Sequence, residues 1–236
     1  MKGELQDYPL TNVHISLGDR GLPLTIIAEP DWFLERLSRE DSEGRLYLPY
    51  WTYLWEASVG LARYIERLGE RLTGQRVLEI GCGFGLTGIV ACQNGAEVVF
   101  TDAEQAALRF ARYNALQNGV AERAAFVQMD WNFPCLRGQY PYILASDVIY
   151  EEHHWQPIVR LLEEHLAPGG VALFSEPNRT NAIGFLETVS DNGFIYQKSG
   201  YSVEFDGKTA TVCLYAIQSN ESQMASRTVQ IAPRGW

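Results

Sequence analysis

The 236 residues, 46% of them hydrophobic and 20% charged, suffice for one domain or at most two, with a core that needs no disulfide or metal staple. Nineteen Lys and Arg against 29 Asp and Glu leave a net charge of −10, which argues against a broad nucleic-acid surface because phosphate binding needs clustered cations. There is no apolar run of membrane-spanning length and no apolar signal core in MKGELQDYPL; Cys82, Cys92, Cys135 and Cys213 form no CxxC pair or zinc spacing, so the expectation is reduced thiols, a cytoplasmic location, no membrane and no metal.

In chain order, Val13, Ile15 and Leu17 alternate, Gly18-Asp19-Arg20-Gly21 turns the chain and LPLTII follows, the pattern of a β-hairpin. Pro30-Asp31 introduces a short helix over WFLERL with Asp31 as its N-cap. The segment LPYWTYLWEASVGLARYIERL carries Val59, Leu61, Ala62, Ile65 and Leu68 as a helical stripe in its second half. From residue 76 the rhythm is strand and helix in alternation. RVLEI, EVVFT, AAFVQM, YILAS and VALFS read as strands; Leu86–Gln93, residues 103–117 and residues 156–166 read as helices. Asn118-Gly119 ends the second of these helices and Pro168-Gly169-Gly170 the third. Such alternation predicts an α/β fold with a parallel sheet and helices on both faces. YSVEF and TATVCLYAI, joined by Asp206-Gly207, close the sheet with an antiparallel hairpin. The division expected is an N-terminal extension over 1–50, one domain over 51–218 and a flexible polar tail over 219–236.

The most informative segment is Glu79-Ile80-Gly81-Cys82-Gly83-Phe84-Gly85, between a strand and a helix. Glycines there allow positive φ and close approach of a ligand to the backbone, and the helix N-terminus adds free N–H groups. A dinucleotide loop wants glycines at the first, third and sixth positions, whereas here the sixth is Leu86 and the last glycine is Gly85 at the fifth. Glu79 would also repel a pyrophosphate, but would face a ligand carrying a cationic amino group and a sulfonium. This E-x-G-x-G-x-G run resembles motif I of class I S-adenosylmethionine-dependent methyltransferases.

Asp102 follows the second strand, where a carboxylate accepts both hydroxyls of a ribose or caps the next helix. Asp130-Trp131 follows the third strand, the place of the adenine in that class, with plain packing as the other reading of Trp131. Asp147 follows the fourth, where the methyl acceptor would sit. His153 and His154 read as solvated histidines at a helix start, adjacent residues facing different directions without an i, i+4 metal pair. The cysteines read as core residues, and Cys82 as a small loop side chain. Tyr47, Tyr50, Trp51, Tyr53 and Trp55 suit either a lid packed on the sheet or a substrate channel. Glu176-Pro177-Asn178-Arg179 either borders the acceptor or forms a surface loop.

Three stretches, PYWTYLWEASVGLARY, VLEIGCGFGLTGIVACQNGAEVVFTD and YILASDVIYEEHHWQPIV, resemble a narrower group, the seven-β-strand protein-lysine methyltransferases of the nicotinamide-N-methyltransferase-like family, which modify non-histone proteins. The resemblance implies a Rossmann-like seven-stranded sheet and S-adenosyl-L-methionine as cofactor, with S-adenosyl-L-homocysteine as product. It implies that Trp55 lines the cofactor pocket, Gly81, Cys82 and Gly83 supply the loop, Asp102 meets the ribose, Asp130 and Trp131 flank the adenine, and Ala145 and Ser146 border the cofactor. Asp147 and Tyr150, an Asp-x-x-Tyr signature, would shape the acceptor channel as the candidate catalytic residues. Ser146 stands where members often have Ala, and the Asn/Asp-Pro-Pro-Tyr motif of adenine-N6 and glutamine-N5 methyltransferases is absent after strand four. The partner implied is a protein presenting a lysine. A small amine, a silent cofactor-binding module and a dinucleotide oxidoreductase stand as alternatives, the last disfavoured by Leu86 and Glu79.

Overall fold

A computed structural model describes residues 5–40 and 49–220. Seven strands form one sheet in the order β5-β4-β3-β6-β7-β9-β8, and a separate two-stranded sheet is built from β1 and β2. β3 (Arg76–Ile80), β4 (Glu97–Asp102), β5 (Ala124–Gln128), β6 (Tyr140–Ser146) and β7 (Leu166–Glu176) run parallel. β9 (Lys208–Ser219) lies antiparallel between β7 and β8 (Phe194–Phe205). The order reverses at β3, whose neighbours are β4 and β6, and this switch point opens a crevice beyond the carboxyl ends of the strands.

The period-2 alternation of β3 sorts its side chains: Val77 joins one apolar cluster, Leu78 and Ile80 the other. α2 (Glu56–Leu68), α3 (Leu86–Gln93) and α4 (Gln105–Gln117) pack on the first cluster, α5 (Trp155–His165) and α6 (Ala182–Asp191) on the second. The helical stripe of α2 is buried as its spacing requires, with Val59, Leu61, Ala62 and Ile65 fully covered.

β1 (Leu10–Leu17) and β2 (Arg20–Ile27) form the N-terminal hairpin, and α1 (Pro30–Glu40) follows. Ile15, Leu17, Leu22, Leu24, Ile27 and Phe33 join the same core cluster as α2, α3 and α4. Each such side chain contributes about 1.5–3 kcal/mol when fully buried, so the hairpin is held on the α/β body by its own apolar face.

Several boundaries differ from the sequence reading. Leu17 pairs with Arg20, so the turn is Gly18-Asp19 alone, with Gly18 at φ 62°. Asp31 lies in the first turn of α1 rather than capping it, and accepts a hydrogen bond from the Tyr53 hydroxyl. Asp102 is the last residue of β4, and α4 starts at Gln105 rather than at 103. Pro168-Gly169-Gly170 does not stop α5, which ends at His165; the three residues sit within β7 as an irregularity where its register on β6 shifts between Tyr140 and Tyr142. β8 starts at Phe194, well before the YSVEF segment, and α6 was not read from the sequence at all. Of the expected tail only Ser219 and Asn220 fall among the described residues, and Tyr47 also lies outside them.

Candidate active site

The crevice at the switch point holds a cavity of about 480 Å³, within the range of small-molecule sites. Its floor is the glycine-rich loop after β3. The Cys82 N–H donates to Thr101 O at 2.9 Å and the Gly85 N–H to Cys82 O at 2.7 Å, folding the loop back on itself. Gly81 takes φ 62°, and a Cβ there would stand 2.8 Å from Val148 Cγ1 and 3.3 Å from Trp131 Cζ2, so only glycine lets these groups close on the backbone.

Glu79, 2% exposed, points from β3 to the face of α3. The Thr87 hydroxyl donates to one carboxylate oxygen and the Gly88 N–H to the other at 3.1 Å. Burial pushes this carboxyl up to about 8, against the pull of those two bonds. Gly88 is the residue that permits the contact, since a Cβ there would fall 2.4 Å from Glu79 Oε2 and 2.3 Å from Phe100 Cε1. The residue expected here to face a cationic ligand is a buried carboxyl braced by a helix, and it lines the cavity.

Asp102 closes the loop from the β4 side. Its Oδ2 accepts from the Gly83 N–H and its Oδ1 from the Glu104 N–H, both at 3.0 Å. Each oxygen keeps lone-pair capacity toward the cavity that it lines. Burial raises this carboxyl to about 6, with the backbone N–H groups opposing. Beyond β5, Asp130 Oδ1 receives the Asn132 N–H at 2.8 Å and its side-chain amide at 2.9 Å, which shapes the turn presenting Trp131. The Trp131 ring meets His154 edge to face, centroids 4.8 Å apart, and its Nε1 is buried with no hydrogen-bond partner in the structure.

On the opposite side, Asp147 directly follows β6 with a positive φ of 52° while its N–H donates to Ser175 O at 2.8 Å. Such a conformation suits Asp better than a branched residue. Arg179, from the segment after β7, clamps the carboxylate: Nε donates to Oδ1 at 3.0 Å and Nη2 to Oδ2 at 2.9 Å. The Asp147 side chain is left 2% exposed. Burial pushes its carboxyl up, and the Arg179 fork pulls it back only in part. The same guanidinium lies 5.9 Å from the Trp55 ring centroid, within cation–π reach. Tyr150 packs against Tyr50 at 5.0 Å, and Trp55 Nε1 donates to Tyr50 O at 3.0 Å. Asn181 Nδ2 donates to Tyr150 O at 2.8 Å, tying the Asp-x-x-Tyr segment to the start of α6.

Trp55, Glu79, Gly81, Cys82, Gly83 and Asp102 thus share one cavity wall with Asp130, Trp131, Ser146, Asp147 and Tyr150. Gly85 and Ala145 are not on it: Gly85 sits under the first turn of α3 against Ala111, and Ala145 is buried within β6 between Ile80 and Phe174. The aromatic segment divides its roles, for Trp51 packs at 5.5 Å on the buried Phe110 and also lines the cavity. Of the two adjacent histidines only His154 departs from the solvated reading. Their rings lie 4.0 Å apart, both reach the cavity, and His154 is mostly buried while His153 stays exposed. Burial and His153 lower the proton affinity of His154. Cys82, Cys92 and Cys213 are buried as expected, but Cys135 is exposed. Burial raises the Cys82 thiol, which suits no nucleophile. The sequence reading left Arg179 undecided and missed Thr87 and Gly88; the Gly-Leu-Thr-Gly run was the available signal for the latter two.

A family described as lysine methyltransferases matches residues 51–192. Among curated proteins, the chain is 35% identical over 122 residues to the histidine protein methyltransferase 1 homolog of Dictyostelium discoideum, covering 50% of this chain and 40% of that protein. It is 37% identical over 124 residues to the protein N-lysine methyltransferase METTL21A of Danio rerio, 49% of this chain and 55% of that one. The Mus musculus METTL21A is 30% identical over 159 residues, 65% of this chain and 72% of that one. The chain thus spans about half the length of the first two relatives. Among solved structures, a ribosomal protein L11 methylase from Lactobacillus delbrueckii subsp. bulgaricus superposes with a TM-score of 0.58 at 21% identity, covering 87% of this chain and 98% of that one. A precorrin-6y C5,15-methyltransferase from Geobacter metallireducens gives 0.58 at 14% identity, covering 76% and 96%. At such identities these two likenesses concern the fold, an α/β Rossmann-like sheet with antiparallel C-terminal strands.

Proposed function

This chain belongs to the lysine methyltransferase family, and from that premise we propose that it moves the methyl group of S-adenosyl-L-methionine to a nitrogen acceptor, a lysine side chain of a non-histone protein, leaving S-adenosyl-L-homocysteine. The observation that carries the reading is convergence. Residues at the ends of four successive strands, Glu79, Asp102, Trp131 and Asp147, meet around one cavity. The cavity residues suit this donor. Asp102 offers two acceptor oxygens for a ribose, and the Trp131 ring on the cavity wall borders the place for a flat base. Gly81, Cys82 and Gly83 bring backbone close to it, with Asp130, Ser146 and Trp55 completing the wall. Gly85 and Ala145 support it from beneath. Glu79, with one donor from α3 on each oxygen, holds the loop and also lines the cavity, where a cation nearby would favour its ionised form.

When bound, the donor supplies a methyl carbon already activated by its sulfonium, so the protein mainly aligns the two partners for in-line displacement. The acceptor must present a lone pair. A lysine amine has a solution pKa near ~10.4, so its neutral form costs about 4 kcal/mol at pH 7.4. Tyr50, Trp55 and Tyr150 give the Asp147 side of the cavity an aromatic lining that desolvates the amine and lowers this cost. Asp147 and Tyr150 shape the acceptor's approach, and the departing proton leaves through water.

We assign the transferase to residues 51–218 and 1–50 to an N-terminal extension, whose β1–β2 hairpin packs on the same apolar cluster. A cytoplasmic location goes with this reading, supported by four free cysteines; among the described residues no helix is long and apolar enough to cross a membrane. The test is incubation of the purified protein with labelled S-adenosylmethionine and a lysate, followed by mass spectrometry, with Asp147→Ala alongside. A discrete labelled protein carrying methyl-lysine, absent with the variant, is expected. Label confined to small molecules rejects the protein acceptor.

A further inference from the structure

Arg179 stands one layer behind the cavity. It does not line the wall, yet it controls two groups that do, Asp147 through a two-point fork and Trp55 through its ring face. The surroundings of the pair are anionic. Glu56 at the start of α2 and Glu176 at the end of β7 both act on Asp147 in the sense opposite to Arg179. Glu176 is fully buried, accepting from the Tyr215 hydroxyl of β9 and from the Arg179 N–H. Tyr150 faces Arg179 from the segment after β6, and Cys213 of β9 donates to Asn178 beside it. Without the guanidinium, an incoming ammonium would take its place as the cation that keeps Asp147 ionised, beside two further acidic side chains. That arrangement binds an ammonium well and holds its proton, the wrong state for attack on a methyl group.

We propose that Arg179 is a positioning residue that offsets the charge of Asp147 so that the acceptor nitrogen loses its proton in the site. The proposal rests on the methyltransferase reading above and deepens it. An acceptor ammonium does not displace Arg179, because it offers a point charge where the guanidinium offers a planar fork matched to the carboxylate. Arg179 therefore stays during turnover. It fixes the Asp147 carboxylate at its positive-φ corner, keeps Trp55 in place and opposes the protonated form of the acceptor.

The test uses the full chain, labelled S-adenosylmethionine and the purified acceptor protein from the lysate experiment. Wild type, Arg179→Gln and Arg179→Lys are compared in kcat against pH, whose acid limb reports the acceptor in the bound complex. S-adenosylhomocysteine affinity by calorimetry confirms that each variant is folded. Arg179→Gln is expected to move the acid limb up by about one pH unit, so that kcat falls about tenfold below the limb while acceptor KM at pH 7 also falls, and the rates converge at high pH. Arg179→Lys, which keeps the charge and loses the fork, keeps the limb in place at a lower rate. A limb that does not move in Arg179→Gln, with kcat reduced equally at every pH, means a bracing role only and overturns the proposal. If Arg179→Gln does not fold, an upward shift in Arg179→Lys overturns it instead, and an unmoved limb supports it. A wild-type protein that binds S-adenosylhomocysteine and methylates nothing at any pH overturns the transferase reading, and this one with it.

Discussion

Asn114 of α4 holds the backbone of Thr25 by both ends of its amide: the Thr25 N–H donates to Asn114 Oδ1 at 2.8 Å, and Asn114 Nδ2 donates to Thr25 O at 3.0 Å. The same Nδ2 donates to Phe84 O in the glycine-rich loop, also at 3.0 Å. One buried side chain thus joins the N-terminal hairpin to the loop at the cavity floor. Asn114→Ala would leave three buried backbone groups without partners, each costing about 1–3 kcal/mol. A loss of about 3 kcal/mol is expected, lowering the melting temperature by roughly 10 °C. S-adenosylhomocysteine binding should weaken severalfold, read by calorimetry. A variant that melts and binds like wild type would show that hairpin and loop are independent.

If Asp102 holds the ribose as proposed, cofactor affinity depends on pH. The carboxylate, not the acid, would accept two ribose hydroxyls, and its folded value is raised to about 6. Affinity for S-adenosylhomocysteine should be flat above about pH 7 and weaken toward tenfold per unit below pH 6. The linked stability term runs the other way. A carboxyl raised on folding favours the folded state below its unfolded value, and that contribution is lost as pH rises through about 6. Asp102→Asn should abolish the pH dependence and bind about tenfold or more weakly at neutral pH, since hydrogen bonds to a charged acceptor contribute about 1.5–3 kcal/mol.

Much of this site is written locally in the sequence. Each of Glu79, Asp102, Trp131 and Asp147 follows from a strand that ends in a turn, and a parallel sheet brings such ends together without further information. The period-2 pattern of β3 likewise tells which face Val77 takes and which face Leu78 takes. What escaped reading depends on pairs far apart in the chain or on backbone contact. Arg179 lies 32 residues beyond Asp147, and nothing local says whether its segment turns inward. The engagement of Glu79 by Thr87 and Gly88 needs the tilt of α3 on the sheet. Pro168-Gly169-Gly170 reads as a helix stop, yet here it accommodates a register shift inside β7. Adjacent histidines should diverge on a regular helix, but His153 and His154 lie in a 3-10 turn, with rings 4.0 Å apart.

Glu79 and Gly88 form a matched pair whose two substitutions should act in opposite directions. The carboxyl is raised from 4.5 to about 8, so the folded state holds a proton that the unfolded chain has lost at neutral pH. Its contribution to stability is full below about pH 4 and declines as pH rises toward 8. Glu79→Gln keeps an uncharged acceptor for α3 and should gain roughly 3 kcal/mol on the wild type between pH 4 and pH 7. Denaturant unfolding across that range checks it. Parallel pH curves for the two proteins would mean that Glu79 is ionised in the fold. Gly88→Ala forces a methyl into Glu79 and Phe100, displaces α3 and should cost at least about 1–3 kcal/mol together with most of the cofactor affinity.

Trp131 separates packing from recognition. Its ring covers Gly81 and meets His154, so a purely structural tryptophan would already be accounted for. Its place on the cavity wall argues for a ligand-facing role of the ring. If the adenine stacks on this ring, Trp131→Ala should weaken S-adenosylhomocysteine by about 1–3 kcal/mol, roughly 5- to 150-fold. Trp131→Phe keeps a flat ring and removes a buried donor that has no acceptor, so it should bind within about threefold of wild type and melt no lower. Calorimetry on both variants decides the matter. Equal binding by wild type and Trp131→Ala would place the base elsewhere in the cavity and leave this side chain as packing for the loop.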